Sequence, residues 1–341
     1  MLTARMLIPP SSETGALGVR HLKRLWASRL AARQGQPTPP ERQTEWSLDM
    51  IFLCGLNLAL EETSQYLMQT APTFDAFEQW VLGKNGGALD PRQVARLNAA
   101  AAGERPTRPL PIPAGEDCPA PVLSAADRAH WDEHGYVVVR EAIPRAQAEA
   151  SAQVLWQHLG MDPADPETWY ASKTHGIMVQ LFHHPVLAAN RRAARVRRAF
   201  EEVWGTDDLW LTVDRVSFNP PEREGWRFPG PHLHWDAGFD TRPFPFATQG
   251  LIYLSDTPAN QGAFACVPGF HRRIDDWLAA LPPGADPQKQ DLLALGPRPI
   301  AARAGDLVIW HHALPHGATA NTGTQPRIVH YVNALRTPAA V

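Results

Sequence analysis

The chain has 341 residues, of which 44% are hydrophobic and 20% charged, and its formal net charge is −3. This length and apolar content suffice for one large domain, or for one domain with a smaller companion. The mildly acidic balance argues against a general nucleic-acid binder. The sequence contains no run of eighteen apolar residues, and its first ten residues lack the pattern of a secretory signal, so we expect a cytoplasmic protein without a membrane span.

The cysteines and histidines set limits on the kind of site. The three cysteines, Cys54, Cys118 and Cys266, are far apart and form no CxxC pair. This spacing argues against a disulfide framework and against a zinc site built from cysteines. Seven of the 14 histidines lie between His232 and His330, which makes this region the first place to look for a functional site.

The first hundred residues have the apolar spacing of amphipathic helices. Apolar residues recur at intervals of three and four in 48–68, and Phe74, Phe77 and Trp80 repeat the pattern. This periodicity predicts three or four helices of a small bundle in a helical N-terminal region, residues 1–103. We expect the aromatic stripe to pack this region against the domain that follows.

A proline-rich segment separates the two halves of the chain. Six prolines fall between Glu104 and Val122, and large apolar side chains are scarce there. Such a composition is typical of a stiff extended linker. We therefore place a linker at residues 104–122 and a second domain at residues 123–341.

The second domain begins with helices and continues as short strands. Ser124 and Asp127 indicate a capped helix that ends at Gly135, before the β-rich run 136–139. Further strands are predicted at 209–218, 232–236, 250–254, 264–267, 306–310 and 328–332. Many short strands separated by Pro and Gly favour a closed or double-sheet antiparallel architecture with helices outside. The predicted class is therefore mainly β with flanking helices, an α+β protein.

Four residues form a chemically coherent set. His234 and Asp236 lie two apart in a predicted strand, so their side chains leave the same face. His316 occupies a tight turn downstream, and Arg327 follows eleven residues later. Two histidines and one carboxylate can bind one face of iron(II) and leave positions open for a chelating cosubstrate and dioxygen. The planar guanidinium suits the far carboxylate of such a cosubstrate.

Other motifs follow in a fixed order around this set. They are Gly135-Tyr136-Val137-Val138, His234-Trp235-Asp236, Leu254-Ser255-Asp256, Gln261-Gly262-Ala263, Val267-Pro268-Gly269-Phe270-His271, Gly305-Asp306 and His316-Gly317. From about Leu123 to Asn333 the chain resembles the phytanoyl-CoA dioxygenase family of iron(II)- and 2-oxoglutarate-dependent oxygenases. Gln261 stands where the family often has Asn, and Phe270 stands where it usually has Ser.

The resemblance implies both a fold and a reaction. It implies a double-stranded β-helix, the jelly-roll or cupin-like fold, with His234, Asp236 and His316 as iron ligands and Arg327 binding 2-oxoglutarate. The implied reaction uses dioxygen to hydroxylate an unactivated C–H bond and releases succinate and carbon dioxide. Related halogenases have a small residue in place of Asp236, so hydroxylation is expected here. The implied substrate is a small molecule, free or bound to CoA or a carrier, and the N-terminal helices could serve a homodimer.

Two further residues are candidates for binding the cosubstrate. Asn219 precedes Pro220 and resembles an Asn-Pro element that contacts 2-oxoglutarate in some family members, although Asn before Pro also commonly starts a turn. Gln249 is predicted to share a strand face with Leu251 and Tyr253. It either binds cosubstrate or substrate, or packs in the sheet.

Several alternatives remain open at the level of sequence. His232 is an alternative ligand to His234, and His330 either lines the site or packs in the sheet. The basic run 191–198 is either a solvated helix face or an anion-binding patch. The protein could also be a cupin-like metalloenzyme that does not use 2-oxoglutarate, or a non-catalytic binding or scaffold protein. Arg327 argues against the former, and the complete ligand set argues against the latter.

Overall fold

The computed structural model describes residues 6–37, 42, 45–104, 121–170, 174, 176–230 and 232–337. Apart from its two ends, the predicted linker 104–122 lies outside the described residues. The chain divides into two compact units. The first contains the N-terminal helices, Trp204–Asp214 and the segment that begins at Ala334, and the second contains the rest of the chain from residue 121 onward.

Helices come first and short strands later, as the sequence pattern predicts, although it predicts three or four N-terminal helices and the described residues hold five. The α-helices are α1 (Leu22–Arg33), α2 (Trp46–Gly55), α3 (Leu60–Thr70), α4 (Phe74–Lys84), α5 (Pro91–Ala101), α6 (Ala125–His134), α7 (Arg145–Leu159), α8 (Pro185–Arg192), α9 (Ala194–Trp204) and α10 (Ile274–Ala279). The strands are β1 (Tyr136–Val139), β2 (Met178–Val179), β3 (Leu209–Leu211), β4 (Val216–Asn219), β5 (Thr248–Tyr253), β6 (Phe264–Cys266), β7 (Arg298–Pro299), β8 (Leu307–His311), β9 (His316–Ala318), β10 (Arg327–Tyr331) and β11 (Ala334–Arg336). No helix within the described ranges is long and apolar enough to cross a membrane.

The helical unit has an apolar core of its own. Phe74 and Phe77 of α4 are buried in it, and Trp80 packs against it while stacking on Tyr66 at 4.7 Å between ring centroids. The apolar spacing of α4 therefore does predict a buried helix face. The structure packs the aromatic stripe inside the helical unit, because the neighbouring helices α1 to α3 supply the apolar surface that covers it.

Two strands from distant parts of the chain complete the helical unit. β3 and β11 pair antiparallel, and Trp210 of β3 is buried in the helical core. The guanidinium of Arg96 lies 3.7 Å from the centroid of the Trp210 ring, an arrangement that favours a cation–π contact. A Cβ on Gly55 would lie 2.7 Å from the same ring, so α2 can approach it only with a glycine there. The domain bounds expected from the sequence, 123–341, placed the residues of both strands in the second domain.

The second unit is built on two antiparallel sheets. The larger has the strand order β1-β8-β5-β10-β4-β2, and the smaller has the order β7-β6-β9. Alternate residues of the larger sheet, among them Tyr253, Trp310 and Val329, share one core with Phe264 and Cys266 of the smaller sheet. The prediction of antiparallel sheets combined with helices is confirmed.

The capped helix predicted at the start of this unit is confirmed. The Ser124 hydroxyl accepts the Asp127 N–H at 3.1 Å, and the Asp127 carboxylate accepts the Ser124 N–H at 2.9 Å. Gly135 ends α6 with a φ of 74°, and a Cβ there would lie 2.4 Å from the His271 ring. The glycine thus turns the chain directly into β1, which pairs with β8.

The Gly305-Asp306 motif holds the unit together. The buried Asp306 carboxylate accepts hydrogen bonds from the backbone N–H groups of Glu141 and Arg303, at 3.0 and 2.9 Å. Gly305 has a φ of 96°, and a Cβ on it would lie 2.4 Å from the Ile143 carbonyl oxygen. This motif therefore fixes the start of β8 against the chain that follows β1.

Candidate metal centre

His234, Asp236 and His316 converge on one point. The Nε2 atom of His234 lies 3.4 Å from Oδ1 of Asp236, and Nε2 of His316 lies 3.5 Å from Oδ2. One ligand atom from each of the three residues lies within 4.8 Å of the other two. In the described part of the chain no other group of three His, Cys, Asp or Glu side chains has this geometry, so His232 has no place in the cluster.

Backbone pairing brings the two histidines together. The N–H of His234 donates to the His316 carbonyl at 2.9 Å, and the N–H of His316 donates back at 3.0 Å. The predicted strand 232–236 is wrong, because this isolated bridge at His234 is its only ladder pairing in the described residues. β9 has just three residues, so a second segment can form only a few backbone hydrogen bonds with it. Convergence thus comes from a long-range bridge and not from alternation along one strand.

Both imidazoles are oriented by the backbone. Nδ1 of His234 lies 2.7 Å from the His232 carbonyl oxygen, and Nδ1 of His316 lies 3.0 Å from the Leu314 carbonyl oxygen. A carbonyl only accepts, so each Nδ1 must carry the proton and donate it. In the neutral imidazole this leaves the Nε2 lone pair directed at the centre, as metal binding requires.

The charges at this centre are strongly coupled. Burial alone would raise the pKa of Asp236, but hydrogen bonds and charge interactions with the two imidazoles hold that pKa well below its usual range. Burial lowers the pKa of His234, yet Asp236 and the His232 carbonyl raise it overall above its ordinary value. Asp236 therefore stays a carboxylate, and His234 binds a proton more readily than an ordinary imidazole. A metal competes with that proton, so its affinity should increase with pH.

Arg327 is a buried cation with few partners among the described residues. Its side chain on β10 is 1% exposed, and Nη1 lies 3.5 Å from the Ser217 hydroxyl, the outer limit of a hydrogen bond. Its Nε atom is buried without a hydrogen-bond partner in the described residues. A buried guanidinium is costly unless an anion pairs with it. Arg327 therefore fits the far carboxylate of 2-oxoglutarate.

Asn219 lies beside Arg327, and the atom that it leaves without a partner is the amide oxygen, a hydrogen-bond acceptor. The two residues are directly paired across β4 and β10, so their side chains lie on the same face. The Asn219 Nδ2 donates to the Thr319 carbonyl at 3.1 Å, while Oδ1 is buried without a partner. The Thr319 carbonyl thus takes one of the two Nδ2 hydrogens, and the unpartnered Oδ1 cannot donate to a carboxylate. The free oxygen suits a hydroxyl or a water molecule.

Gln249 bonds to the candidate metal ligand itself. Its Nε2 atom donates to Oδ2 of Asp236 at 2.6 Å, and its Oε1 atom accepts the Trp310 indole N–H at 3.1 Å. The sequence led us to expect Gln249 at the cosubstrate or substrate. It did not single out Trp310, whose ring centroid lies 5.1 Å from that of His316. Trp310 ends the apolar run of the predicted strand 306–310, and that run gave no sign of a role at the site.

The remaining histidines have other surroundings. His330 is fully buried on the face of β10 opposite Arg327, between Asn190 and Arg191. Burial lowers its pKa well below the ordinary value. Burial, with two neighbouring histidines, also lowers the pKa of His311 to about 3, and the His311 Nδ1 accepts the Ala313 N–H at 3.0 Å. These histidines are neutral packing residues of the sheet.

The basic run on α8 and α9 is largely paired within the chain. Arg197 bonds to Glu201 at 2.8 Å, and Arg198 bonds to Glu202 at 3.2 Å. Arg195 donates to the carbonyl oxygen of Glu141 at 3.2 Å. Such pairing favours a solvated helix face over an anion-binding patch.

Comparison with known proteins settles the family. The family model described as phytanoyl-CoA dioxygenase matches residues 131–329, more than half of the chain, and this range includes all six candidate site residues. The chain belongs to the phytanoyl-CoA dioxygenase family. This is a family of iron- and 2-oxoglutarate-dependent enzymes, and the chain carries a His-Asp-His cluster of the type that such enzymes use.

Individual relatives of this family member are distant. A putative phytanoyl-CoA dioxygenase of Dictyostelium discoideum is 27% identical over 94 residues, which cover 26% of the chain and about a quarter (27%) of that relative's length. The Ava biosynthesis cluster protein O of Aspergillus versicolor is 22% identical over 241 residues, which cover 60% of the chain and 75% of that relative. The solved structure of SnoK, a non-heme alpha-ketoglutarate-dependent carbocyclase from nogalamycin biosynthesis, has 20% identity and a TM-score of 0.47, covering 63% of this chain and 84% of that one.

Proposed function

We propose that this protein is an iron(II)- and 2-oxoglutarate-dependent dioxygenase that hydroxylates an unactivated C–H bond of a small-molecule or carrier-bound substrate. The observation that carries the proposal is the convergence of His234, Asp236 and His316 in a unit that also buries the Arg327 side chain, whose Nε atom has no hydrogen-bond partner among the described residues. Membership of the phytanoyl-CoA dioxygenase family supports it. The two antiparallel sheets would then be the two halves of a double-stranded β-helix.

The donor set fits iron(II). His234 and His316 would hold the metal through Nε2, and Asp236 would hold it through one carboxylate oxygen, a combination of nitrogen and oxygen donors typical of non-heme iron sites. When bound, iron and 2-oxoglutarate supply the oxidising chemistry that removes a hydrogen atom from the substrate carbon. The retained carboxylate of Asp236 favours hydroxylation, because related halogenases place a small residue at this position.

The protein's own groups provide binding and orientation. The Arg327 guanidinium would bind the far carboxylate of 2-oxoglutarate, and the backbone carbonyls at His232 and Leu314 hold the imidazoles in the tautomer that binds metal. The Asp236 side chain is 54% exposed and that of His316 is 5% exposed. Substrate would therefore approach the centre from the side of Asp236.

Succinate formation tests the proposal directly. The full chain is supplied with iron(II), 2-oxoglutarate and oxygen, and succinate is measured with and without cell extract, in which products that gain one oxygen atom are sought by mass spectrometry. We expect turnover by the native protein and its loss in His316→Ala. His158→Ala removes an exposed histidine of α7 and serves as the control that keeps full activity. Succinate formation that is absent from the native protein, or unchanged in His316→Ala, would contradict the proposal.

A further inference from the structure

We propose that Gln249 and Trp310 act together as positioning residues that fix the Asp236 carboxylate for metal binding. This inference rests on the proposed function. The contacts form a continuous chain, because the Trp310 indole N–H donates to Gln249 Oε1 at 3.1 Å and Gln249 Nε2 donates to Asp236 Oδ2 at 2.6 Å. Gln249 and Trp310 are direct cross-strand partners on β5 and β8, so their side chains leave the sheet on the same face.

The indole decides which way the amide of Gln249 points. A glutamine amide has an accepting end and a donating end, whereas an indole N–H can only donate. The accepting oxygen must therefore face Trp310, and the donating nitrogen is left to face Asp236. If the amide turned over, it would set a donor against the indole and an acceptor against the carboxylate. Both contacts would then be lost.

Trp310 is itself held in place by packing. Its side chain is buried, with the residue 2% exposed, and its ring centroid lies 4.3 Å from that of Phe264 and 5.1 Å from that of His316. The indole thus contacts one candidate ligand directly and reaches a second through Gln249. A buried core residue thus supports a half-exposed carboxylate, whose neighbours His234 and His316 are the two other candidate ligands.

The contact also selects which oxygen of Asp236 is used. A donor placed on Oδ2 engages that oxygen and leaves Oδ1 available to a metal ion. Ligation through one oxygen takes up one position of the metal, and the remaining positions stay open for a chelating cosubstrate and dioxygen. Groups that orient a metal ligand in this way typically contribute about ten- to a hundredfold to metal affinity or activity.

This role differs measurably from the cosubstrate contact expected from the sequence. A positioning residue affects the affinity for the metal alone, before any 2-oxoglutarate is present. A cosubstrate contact would leave metal affinity unchanged and weaken 2-oxoglutarate binding to the metal-loaded protein. Mn²⁺ is a suitable probe, since it accepts the same nitrogen and oxygen donors and its free concentration can be followed by electron paramagnetic resonance.

The experiment titrates Mn²⁺ into the full chain and three variants without 2-oxoglutarate. Gln249→Met keeps the length of the side chain but removes the donor, and we expect the Kd for Mn²⁺ to rise about ten- to a hundredfold. Trp310→Phe keeps an aromatic ring but removes the N–H, and a smaller rise is expected. Because Trp310 acts through Gln249, the double variant should bind no more weakly than Gln249→Met alone.

The control is Gln147→Met, which removes a 2.8 Å amide contact to Asn190 in the same unit and should leave the Kd for Mn²⁺ unchanged. Thermal unfolding of each variant checks that it is folded. An unchanged Kd for Mn²⁺ in Gln249→Met would overturn the inference, and so would additive effects in the double variant. If the native protein binds Mn²⁺ no better than His316→Ala, the metal centre itself is contradicted, and the proposed function fails together with this inference.

Discussion

Two buried charged side chains, Asp306 and Arg327, differ in how many hydrogen-bond partners the described residues give them. The carboxylate of Asp306 is 2% exposed, and three donors satisfy it: two backbone N–H groups and the Arg140 guanidinium at 2.6 Å. Arg327 is equally buried, but its Nε atom has no partner in the described residues. The satisfied charge holds the fold together. The unsatisfied one marks a place where a ligand of opposite charge would complete the structure.

Replacing Arg327 should therefore separate stability from ligand binding. In Arg327→Met an uncompensated buried charge becomes an apolar side chain of similar length. We expect the ligand-free protein to keep its free energy of unfolding or to gain about 1 kcal/mol, measured by urea denaturation. The affinity of the Mn²⁺-loaded protein for 2-oxoglutarate should fall about a hundredfold, as measured by calorimetry.

Arg140→Met provides the matched control, because this side chain is 63% exposed and should affect 2-oxoglutarate affinity little. A destabilised Arg327→Met protein with native affinity for 2-oxoglutarate would show that the guanidinium has a purely structural role.

At the scale of elements, turns and a single backbone bridge position the candidate site residues more than long strands do. β9 has three residues and β6 has three, yet β9 carries His316, and its bridge to His234 brings two residues of the candidate metal centre together. The turn at Gly305 sets the start of β8, whose fourth residue is Trp310. The bridge at β9 and the turn before β8 thus fix the positions of these site residues.

The turn at Gly305 gives a prediction at this scale. In Gly305→Ala the new Cβ would meet the Ile143 carbonyl oxygen at 2.4 Å, on a backbone with φ of 96° that L side chains rarely adopt. We expect the free energy of unfolding to fall by about 3 kcal/mol, the sum of backbone strain and a clash with immobile backbone. Urea denaturation measures the change.

Gly284→Ala tests the conformational part of that cost by itself. Gly284 has a φ of 78°, but its Cβ would meet no atom within 4 Å, so we expect a loss of about 1 kcal/mol. Equal losses in the two variants would mean that the close approach to Ile143 contributes nothing.

At the scale of the whole molecule, the helical unit is discontinuous in sequence. The helices that precede the predicted linker share one core with Trp210 and Leu335, which come from far later in the chain. Cutting the chain at the linker would therefore leave Trp210 without the surface that buries it. A tryptophan exposed on a strand pair whose apolar face has lost its cover is a site for aggregation.

A truncation tests this directly. We expect a chain that starts at Leu123 to aggregate on expression, as measured by size-exclusion chromatography, while the full chain elutes as a single species. A second truncated chain with Trp210→Ser and Leu335→Ser should recover part of the soluble fraction, since it removes the exposed apolar surface. If the first truncated chain is soluble and as stable as the full chain, the helices are dispensable for the second unit.

Much of the site could be predicted without coordinates because its chemistry is local in sequence. His234 with Asp236, the downstream His316 and the later Arg327 form an ordered pattern, and the family match covers all of them. Helix caps such as Ser124 with Asp127 were equally clear, since a cap depends on residues three positions apart. Residue type and short spacing determine these features.

What only the tertiary structure decided depends on contacts between distant segments. The pairing of His234 with His316, the bond from Gln249 to Asp236 and the burial of Trp210 among the N-terminal helices have no periodic signature in the sequence. Hydrophobic periodicity reports which face of an element is buried, but not which element covers it. The sequence by itself therefore determined the candidate ligands and the family. The packing of the sheets and helices decided how those ligands are brought together and held.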